Sequence, residues 1–482
     1  MNAFKLITCN LLMKLKNASI RSLRPLIWFL FLLNVTSVTQ AEIRLPNVLG
    51  SHMVLQQQSD VQLWGWGSPA EKVEINTGWD ATTHETTADS GGRWKITVRT
   101  PEAGGPYSIR IKGSNEIVLE DVMIGEVWVC SGQSNMEWSG NQQLPQSLEE
   151  APHANHPGIR LFYIPKTTSD TPQDQCEGEW KVCSPEEMVK FSAVGYFFGK
   201  KLHQDLGVPI GLINSNWGGT PAEVWTPKDV VEDDPMLKEA AGKLQPFPWW
   251  PKDPGKCYNA MIYPITRFEI AGAIWYQGES NVSTAYGYEK LFTNMIGSWR
   301  EAWDKDFPFY YVQIAPYTYG DNLNGALLRE AQTRSASYPN TGMVVVSDLV
   351  DDVKDIHPKN KIGVAERLAN YALSQTYGKV GVAHQSPTYD RMEIEGNSVR
   401  VHFNHAKNGL MARGGEPAEF YIAGGDKEFV PANAVIDGSS VVVRSEEVSD
   451  PVAVRFGFSN EAIPNLFSKE GLPVNLFRTD DW

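Results

Sequence analysis

The sequence predicts an α/β protein in which a three-layer unit, a parallel sheet covered by helices on both faces, lies between two β-sandwich-like regions. Two observations indicate this: apolar runs alternate with helical segments in the middle of the chain, and apolar residues recur at every second position on either side. The 482 residues are 42% hydrophobic and 21% charged, which is ordinary for a globular chain of two to four domains. We therefore predict domains at 42–121, 122–380 and 381–482, after an N-terminal segment of residues 1–41.

Residues 1–41 have the composition of a secretory signal peptide. They carry five Lys or Arg residues and no acidic residue, and their apolar run over 26–35 is shorter than the roughly 20 residues of a membrane span. Thr39, Gln40 and Ala41 form the small-x-small pattern that suits signal peptidase. We expect a secreted or periplasmic protein without stable membrane insertion after cleavage, and a membrane anchor is the alternative.

The two flanking regions show the period of strands that bury one face. Val61 and Leu63 illustrate it within 42–121, where clusters of Gly, Pro and Ser separate the runs. The same period returns after residue 384, as in Val399 and Val401. These patterns predict an N-terminal β-sandwich and a second β-region at the end of the chain.

The middle of the chain alternates between strand and helix patterns. Its apolar runs predict parallel strands at 124–130, 208–214, 270–276, 309–315 and 343–346. Helical spacing predicts helices at 191–206, 288–303, 326–333 and 359–373. The polar, Pro- and Trp-rich residues 229–257 predict a long surface loop. Because ligands of such sheets bind beyond the carboxyl ends of the strands, the residues just after each run are the functional candidates.

Charge and cysteine content exclude some classes of protein. The net charge of −14 becomes −19 without the five bases of residues 1–41, and an acidic chain without Lys/Arg runs is a poor nucleic-acid binder. Sixteen Trp residues weakly favour carbohydrate binding. Four cysteines follow residue 41 without any CxxC pair, which disfavours a thiolate zinc site. Cys176 and Cys183 are the best disulfide candidates, and Cys130 is expected to be a buried free thiol.

Four of the predicted strands are followed by polar motifs. Ser134 stands on a tight turn after the first strand, where its hydroxyl is exposed and backbone N–H groups can face an oxyanion. Gly218 and Gly219 follow the second strand and allow backbone to approach a ligand closely. Gln277 follows the third, and its amide can donate to an oxyanion; His357 follows the last, where it can take a proton from a hydroxyl. Each residue alone has an ordinary structural explanation, but all four are predicted at one edge of the same sheet.

In this order the motifs resemble the blocks of SGNH hydrolases and, more narrowly, the sialate O-acetylesterase family, which includes acetylxylan-esterase-like members. The matching segments are 132–136 (GQSNM), 217–220 (WGGT), 277–280 (QGES) and 355–358 (DIHP). Short segments at 43–46, 471–473 and 477–480 extend the resemblance over nearly all of residues 42–482.

The resemblance implies a role for each motif residue. Ser134 is the expected nucleophile and, through its own N–H, an oxyanion donor. Gly219 (or Gly218) is expected to supply a second N–H, and Gln277 a side-chain donor where many SGNH enzymes use Asn. His357 is the expected general base.

The carboxylate partner of the histidine departs from the usual Asp-x-x-His pattern, because Lys354 occupies the Asp position. Asp355 is favoured instead and Asp352 is its rival, and some family members work without such a partner. The other motif residues expected to contact the substrate are Gln133, Asn135, Trp217 and Glu279.

These roles imply a secreted serine esterase that removes O-acetyl groups from sugars through an acetyl-serine intermediate, without a metal or organic cofactor. O-acetylated sialic acid is the favoured substrate, acetylated xylan or another hemicellulose is the alternative, and a non-catalytic carbohydrate-binding protein is the alternative of another class. A sialic acid pocket should offer Arg or Lys to the substrate carboxylate, whereas neutral xylan needs neither. The sequence leaves that base, the oligomeric state and the role of the β-regions open.

Overall fold

The prediction of an α/β fold is confirmed by a computed structural model, which describes residues 42–320 and 322–482. The predicted signal peptide over 1–41 lies outside the described residues. Ile43–Trp482 forms one unit that contains the parallel sheet and both flanking β-regions.

The N-terminal region contains two small sheets. Its strands are β1 (Val54–Gln56), β2 (Asp60–Trp66), β3 (Lys72–Thr77), β4 (Thr83–Thr87), β5 (Arg93–Arg99), β6 (Gly104–Lys112) and β7 (Glu116–Gly132). Strands β2 and β5 pair with each other, while β3 pairs with β4 and β6, and β6 pairs with the first part of β7. The alternating apolar residues of both sheets, among them Val61, Leu63, Val73 and Ile75, are buried in one core, as their period predicts. Because β7 continues into the parallel sheet, the predicted domain boundary at 121/122 falls inside a strand.

The central sheet joins the second part of β7 to six further strands. They are β8 (His156–Tyr163), β9 (Trp180–Cys183), β10 (Ile210–Asn216), β11 (Gly272–Tyr276), β12 (Phe309–Val312) and β13 (Thr341–Val344). The order is β13-β12-β11-β7-β10-β8-β9, and every neighbouring pair is parallel except β8–β9. The five predicted runs all form strands here, whereas β8 and β9 were not predicted. Strand β8 lacks an apolar run because it carries buried Arg160, whose guanidinium bonds both carboxylate oxygens of Asp121 at 2.7 and 3.1 Å.

Helices cover both faces of this sheet. They are α1 (Ser134–Glu137), α2 (Pro145–Glu150), α3 (Pro185–Lys190), α4 (Ala193–Leu206), α5 (Lys228–Glu232), α6 (Pro235–Lys243), α7 (Ala285–Trp303), α8 (Asn324–Ser335) and α9 (Lys361–Gln375). Shorter 3-10 or π turns lie at Gly140–Gln142, Ala151–His153, Ala222–Trp225, Tyr258–Ile262, Tyr263–Ile265, Glu279–Thr284 and Ser347–Leu349. Apolar residues of α4 and α9 pack in one core cluster, and those of α7 pack in another. No helix of the described ranges is long and apolar enough to cross a membrane.

The prediction of a continuous loop over 229–257 is wrong in its first half. Asp234 caps α6 by accepting the backbone N–H groups of Met236 and Leu237, and Pro235 occupies its first position. The helix buries only Leu237 and Ala240, so its sequence is too polar and too short to show a helical period. Residues 245–249 are an exposed loop, as predicted.

The C-terminal region is a β-structure, as predicted. Its strands are β14 (Thr388–Glu395), β15 (Ser398–Asn404), β16 (Leu410–Ala412), β17 (Phe420–Ala423), β18 (Phe429–Pro431), β19 (Asn433–Asp437), β20 (Ser440–Arg444), β21 (Ala453–Phe456), β22 (Leu466–Ser468) and β23 (Phe477–Arg478). They form sheets β14-β15-β20-β19, β18-β17-β21-β23 and β16-β22 around a shared apolar core. Arg478 binds Glu330 of α8 at 2.9 Å, which fixes this region beside the parallel sheet.

Cys176 and Cys183, the best candidates for a disulfide in the sequence, are both free thiols. Cys176 packs in the core cluster that contains Trp180, whereas Cys183 packs in the cluster that contains Leu161. The Cys183 thiol donates to the Ala154 carbonyl at 3.5 Å. Cys130 is a fully buried free thiol, as predicted.

Candidate active site

Three neighbouring strands end at the same level of the sheet and bring three of the motifs together. Gly132, the last residue of β7, lies opposite Asn216 of β10 and Tyr276 of β11. The residues that follow these strands therefore meet at one edge, as the sequence predicts. The fourth motif reaches the same edge through the segment between β13 and α9.

The turn after β7 presents Ser134 to the outside. Gly132 has a φ of +138°, and a Cβ there would lie 2.2 Å from the carbonyl oxygen of Tyr276, so only glycine permits the turn. Ser134 then begins α1 and is partly exposed, while its neighbours Gln133 and Asn135 are buried.

His357 lies directly against this serine. Its Nε2 is 2.9 Å from Ser134 Oγ, and its ring stacks on Trp138 with 4.3 Å between the ring centres. Burial lowers the pKa of His357, and the nearby Lys361 charge lowers it further, against the raising effect of Asp355. The imidazole is therefore kept neutral, the form that can accept a hydroxyl proton.

Asp355 is close to the histidine without bonding its ring. One carboxylate oxygen accepts the backbone N–H of His357 at 3.0 Å and lies 3.9 Å from Nδ1, which is too long for a hydrogen bond. The rival Asp352 uses its carboxylate to accept the Lys354 backbone N–H at 2.9 Å. The structure thus places Asp355 beside the imidazole, and its role as a partner stays a prediction.

Two of the three predicted oxyanion donors line the cleft with His357. Ser134 and Gly219 are both there, and Gly219 has a φ of +81°. The alternative donor Gly218 gives its N–H to the Glu137 carboxylate instead. Gly218 also packs tightly on the turn of Ser134, since a Cβ at this position would lie 3.3 Å from that of Ser134.

Gln277 does not face the cleft, which contradicts its predicted role in this state. Its buried amide nitrogen donates to Thr220 O at 3.2 Å and to Asn281 Oδ1 at 2.8 Å, and its oxygen accepts from Tyr288 Oη at 2.9 Å. Both donors are thus used to hold the loops that follow β10 and β11. Position after a strand predicted the edge correctly but not the direction of the side chain.

The four predicted substrate contacts divide into two kinds. Trp217, Gln133 and Glu279 line the cleft, although the Gln133 side-chain oxygen accepts the backbone N–H groups of Gly278 and Ser280, each at 3.3 Å. Asn135 is fully buried and does not line the cleft, so its predicted contact with the substrate is wrong.

Asn135 instead forms a buried polar cluster with Glu279 and Lys361, here called the Asn135 cluster. Its amide nitrogen donates to Glu279 Oε1 at 2.5 Å and to the carbonyl of Ile356 at 3.0 Å, while its oxygen accepts from Lys361 Nζ at 2.6 Å. The Lys361 nitrogen also lies 5.8 Å from the centre of the Trp138 ring. The cluster therefore connects the turn of Ser134 to the segment of His357.

Burial shifts the titration of both charged members of the Asn135 cluster. Burial lowers the pKa of Lys361 to about 7, against the raising effects of Glu279 and Asp355. Burial also raises the pKa of Glu279. Lys361 was missed by the sequence analysis, but one signal was present: a cation at the first position of a helix, where the helix dipole disfavours positive charge.

The cleft around Ser134 is lined by aromatic side chains and by three charged ones, Glu137, Glu279 and Lys166. Its volume is about 530 Å³, which suits a small-molecule ligand. Four tryptophans line it: Trp138, Trp217, Trp249 and Trp250. Within the described residues, Lys166 is the only Lys or Arg that lines it, and its Nζ pairs with Glu137 Oε1 at 2.6 Å.

Comparison with known proteins identifies relatives over most of the chain. The family described as carbohydrate esterase, sialic acid-specific acetylesterase, matches residues 124–374, which is just over half of the chain. Sialate O-acetylesterase of Mus musculus is 28% identical over 414 residues, covering 73% of this chain and 76% of its own. The Homo sapiens sialate O-acetylesterase is 28% identical over 389 residues, covering 73% and 74%.

A solved structure is also similar to most of the chain. The crystal structure of a carbohydrate acetylesterase from Xanthomonas citri has 37% sequence identity and a TM-score of 0.84, and the match covers 92% of this chain and 100% of that one. These findings confirm the predicted fold class and the prediction of a carboxylic ester hydrolase rather than a non-catalytic binding protein. The chain belongs to the sialic acid-specific acetylesterase family of carbohydrate esterases and is an esterase that acts on acetylated sugars.

Proposed function

We propose that the protein removes O-acetyl groups from sugars through an acetyl-Ser134 intermediate. The observation that carries this proposal is the 2.9 Å contact between Ser134 Oγ and His357 Nε2, on a turn that exposes the serine at the carboxyl edge of the sheet. A hydroxyl in contact with a neutral imidazole is the arrangement that activates a serine nucleophile.

The reaction follows from this geometry in two stages. His357 accepts the Ser134 proton as Oγ attacks the acetyl carbonyl, and the oxyanion is held by the backbone N–H groups of Ser134 and Gly219. His357 then gives the proton to the leaving sugar oxygen. In the second stage His357 takes a proton from a water as the water oxygen attacks the acetyl carbon. The bond from that carbon to Ser134 Oγ then breaks, Oγ takes the proton back from His357, and the acetic acid leaves and ionises to acetate.

Replacing the serine tests the proposal. We expect Ser134→Ala to abolish acetate release from p-nitrophenyl acetate while the thermal unfolding midpoint stays near that of the wild type. Ser298→Ala is a matched control, because Ser298 lies in α7 away from the cleft and its hydroxyl donates to the Asn294 carbonyl of the same helix at 2.8 Å. Full turnover by folded Ser134→Ala would overturn the serine mechanism.

The charge of the cleft supports a neutral sugar over the sialic acid that the sequence favours. A sialic acid carboxylate needs a free cation, but Lys166 is already paired with Glu137. Glu137 in turn accepts the Gly218 N–H, so releasing Lys166 would leave a carboxylate in the cleft beside the substrate. An anionic ligand would therefore meet either a lysine that is already paired or, if the pair is broken, a free carboxylate, and both situations disfavour its binding.

Two substrates distinguish these candidates. We expect a higher kcat/KM for acetate release from acetylated xylan than from O-acetylated sialic acid. Lys166→Met should leave xylan deacetylation measurable, whereas an enzyme that uses Lys166 to bind sialic acid should lose that activity by about tenfold or more. A strong preference for sialic acid in the wild type would contradict the neutral-sugar proposal.

We also propose that residues 1–41 direct export and that the mature chain begins at Glu42. The five bases, the short apolar run and the small-x-small site support this. N-terminal sequencing of the protein recovered from the periplasm or medium tests it, and recovery of an intact N-terminus in the membrane fraction would support an anchor instead.

A further inference from the structure

A loop at the rim of the cleft exposes large aromatic side chains. Trp249 is 72% exposed and Phe247 is 43% exposed, although such residues are usually buried. Trp249 and Trp250 line the same cleft as Ser134. We call Phe247, Trp249 and Trp250 the aromatic platform.

The aromatic platform is held in place by its own rings and by its backbone. Phe247 and Trp250 stack with 4.0 Å between ring centres and an angle of 6°, and Phe247 lies 5.2 Å from Trp249. Trp217 Nε1 donates to the Trp249 carbonyl at 3.0 Å. These contacts fix the Trp249 backbone but leave most of its indole uncovered.

The platform is also attached to the proposed oxyanion loop. The Trp250 ring packs so closely on Gly219 that a Cβ there would lie 2.4 Å from it. Trp217, which anchors Trp249, begins the same loop. The Trp249 backbone therefore has a fixed position relative to Ser134, and an aromatic presented on a fixed backbone loses less conformational entropy when it binds a ligand.

We propose that the aromatic platform binds a second sugar ring of a neutral glycan chain, next to the acetylated ring held at Ser134. This inference rests on the proposed function. The C–H face of a pyranose ring is apolar and packs on an indole face, which accounts for an exposed Trp beside a sugar-ester site. Because Lys166 pairs with Glu137, no Lys or Arg that lines the cleft in the described part of the chain is free to bind an anionic chain.

Kinetics on ligands of two lengths test the proposal. The probes are mono-acetylated xylotetraose, acetylated methyl xyloside and p-nitrophenyl acetate. We expect the wild type to prefer the tetraose to the methyl xyloside in kcat/KM. In Trp249→Ala this preference should fall about tenfold, mainly through KM, since removing an aromatic anchor commonly costs about 1.4 kcal/mol or more. Trp249→Phe should recover part of it.

Tyr286→Ala is the matched control, because Tyr286 is 52% exposed on α7, bonds Lys243 and does not line the cleft. Its length preference should equal that of the wild type. A tetraose preference that survives in Trp249→Ala would overturn the proposal, as would a wild type that prefers the methyl xyloside or turns over neither sugar. These outcomes differ from a failure of the proposed serine mechanism, which would show as acetate release from p-nitrophenyl acetate by Ser134→Ala.

Discussion

Asp355 offers a test of how the histidine is held, because its carboxylate is near the imidazole but does not bond it. In serine proteases a buried Asp bonds the ring, and its replacement by Asn lowers kcat by about 10⁴ through the wrong tautomer. Here the oxygen lies 3.9 Å from Nδ1, and Asp355 is 39% exposed. We therefore expect Asp355→Asn to remove an electrostatic effect rather than the orientation of the ring.

The magnitude follows from the distance and the exposure. Two unit charges about 4 Å apart interact by about 1 kcal/mol in water and about 4 kcal/mol at an effective dielectric constant of about 20. The exposure of Asp355 places the pair towards the lower value, so about 1–2 kcal/mol of imidazolium stabilisation is lost. That corresponds to a decrease in kcat/KM of roughly 5- to 30-fold. The amide oxygen that Asp355→Asn introduces can still accept the His357 backbone N–H.

The assay is the pH profile of kcat/KM on p-nitrophenyl acetate. Asp355 raises the pKa of His357, so its loss should lower that pKa and move the acidic limb of the profile to lower pH. Asp352→Asn is the control, and we expect it to resemble the wild type because its carboxylate bonds only the Lys354 N–H among the described contacts. A loss of about 10³ or more in Asp355→Asn would refute this reasoning and indicate a direct bond during catalysis. A large loss in Asp352→Asn would favour the rival residue.

Two further variants test the residues around the site. Lys361→Met removes the charge that lowers the pKa of His357, so the acidic limb of kcat/KM should move to higher pH. This shift is opposite to the one expected for Asp355→Asn. A shift to lower pH in Lys361→Met would contradict the electrostatic role of Lys361. Gln277→Ala breaks the bonds to Thr220 and Asn281, so the free energy of unfolding should fall by about 1–3 kcal/mol in a denaturant titration. A loss of about 10²–10³ in kcat at unchanged stability would instead restore Gln277 as an oxyanion donor.

The strands that carry the site were predictable because their signal is local. A strand buried on both faces needs a continuous apolar run, and β7, β10 and β11 each have one. Parallel pairing then places their carboxyl ends together, which is why Ser134 and the paired glycines could be assigned to one edge. The long-range contact to His357 followed from the same topology.

Side-chain direction and buried charge were not predictable, because they depend on contacts between distant segments. Gln277 lies one residue beyond β11, but its amide bonds Thr220 and Tyr288 and does not line the cleft. Strand β8 was not predicted because Arg160 interrupts its apolar pattern. Asp121 pairs with this buried charge, and that contact is visible only in the folded structure. Both cases involve polar groups whose partners are far away in the sequence.

The Asn135 cluster explains why a lysine is buried beside a histidine that must stay neutral. Asn135 follows Ser134 in the chain, and its amide donates to Ile356, which precedes His357, so one side chain connects the proposed nucleophile to the proposed base. The two N–H bonds to Ile356 and Glu279 use all of its donors, and Lys361 supplies the bond that its oxygen needs. An unpaired buried amide oxygen would favour rotation of the side chain and loss of the Ile356 contact. Desolvating Lys361 thus costs stability but fixes the geometry in which Ser134 and His357 meet.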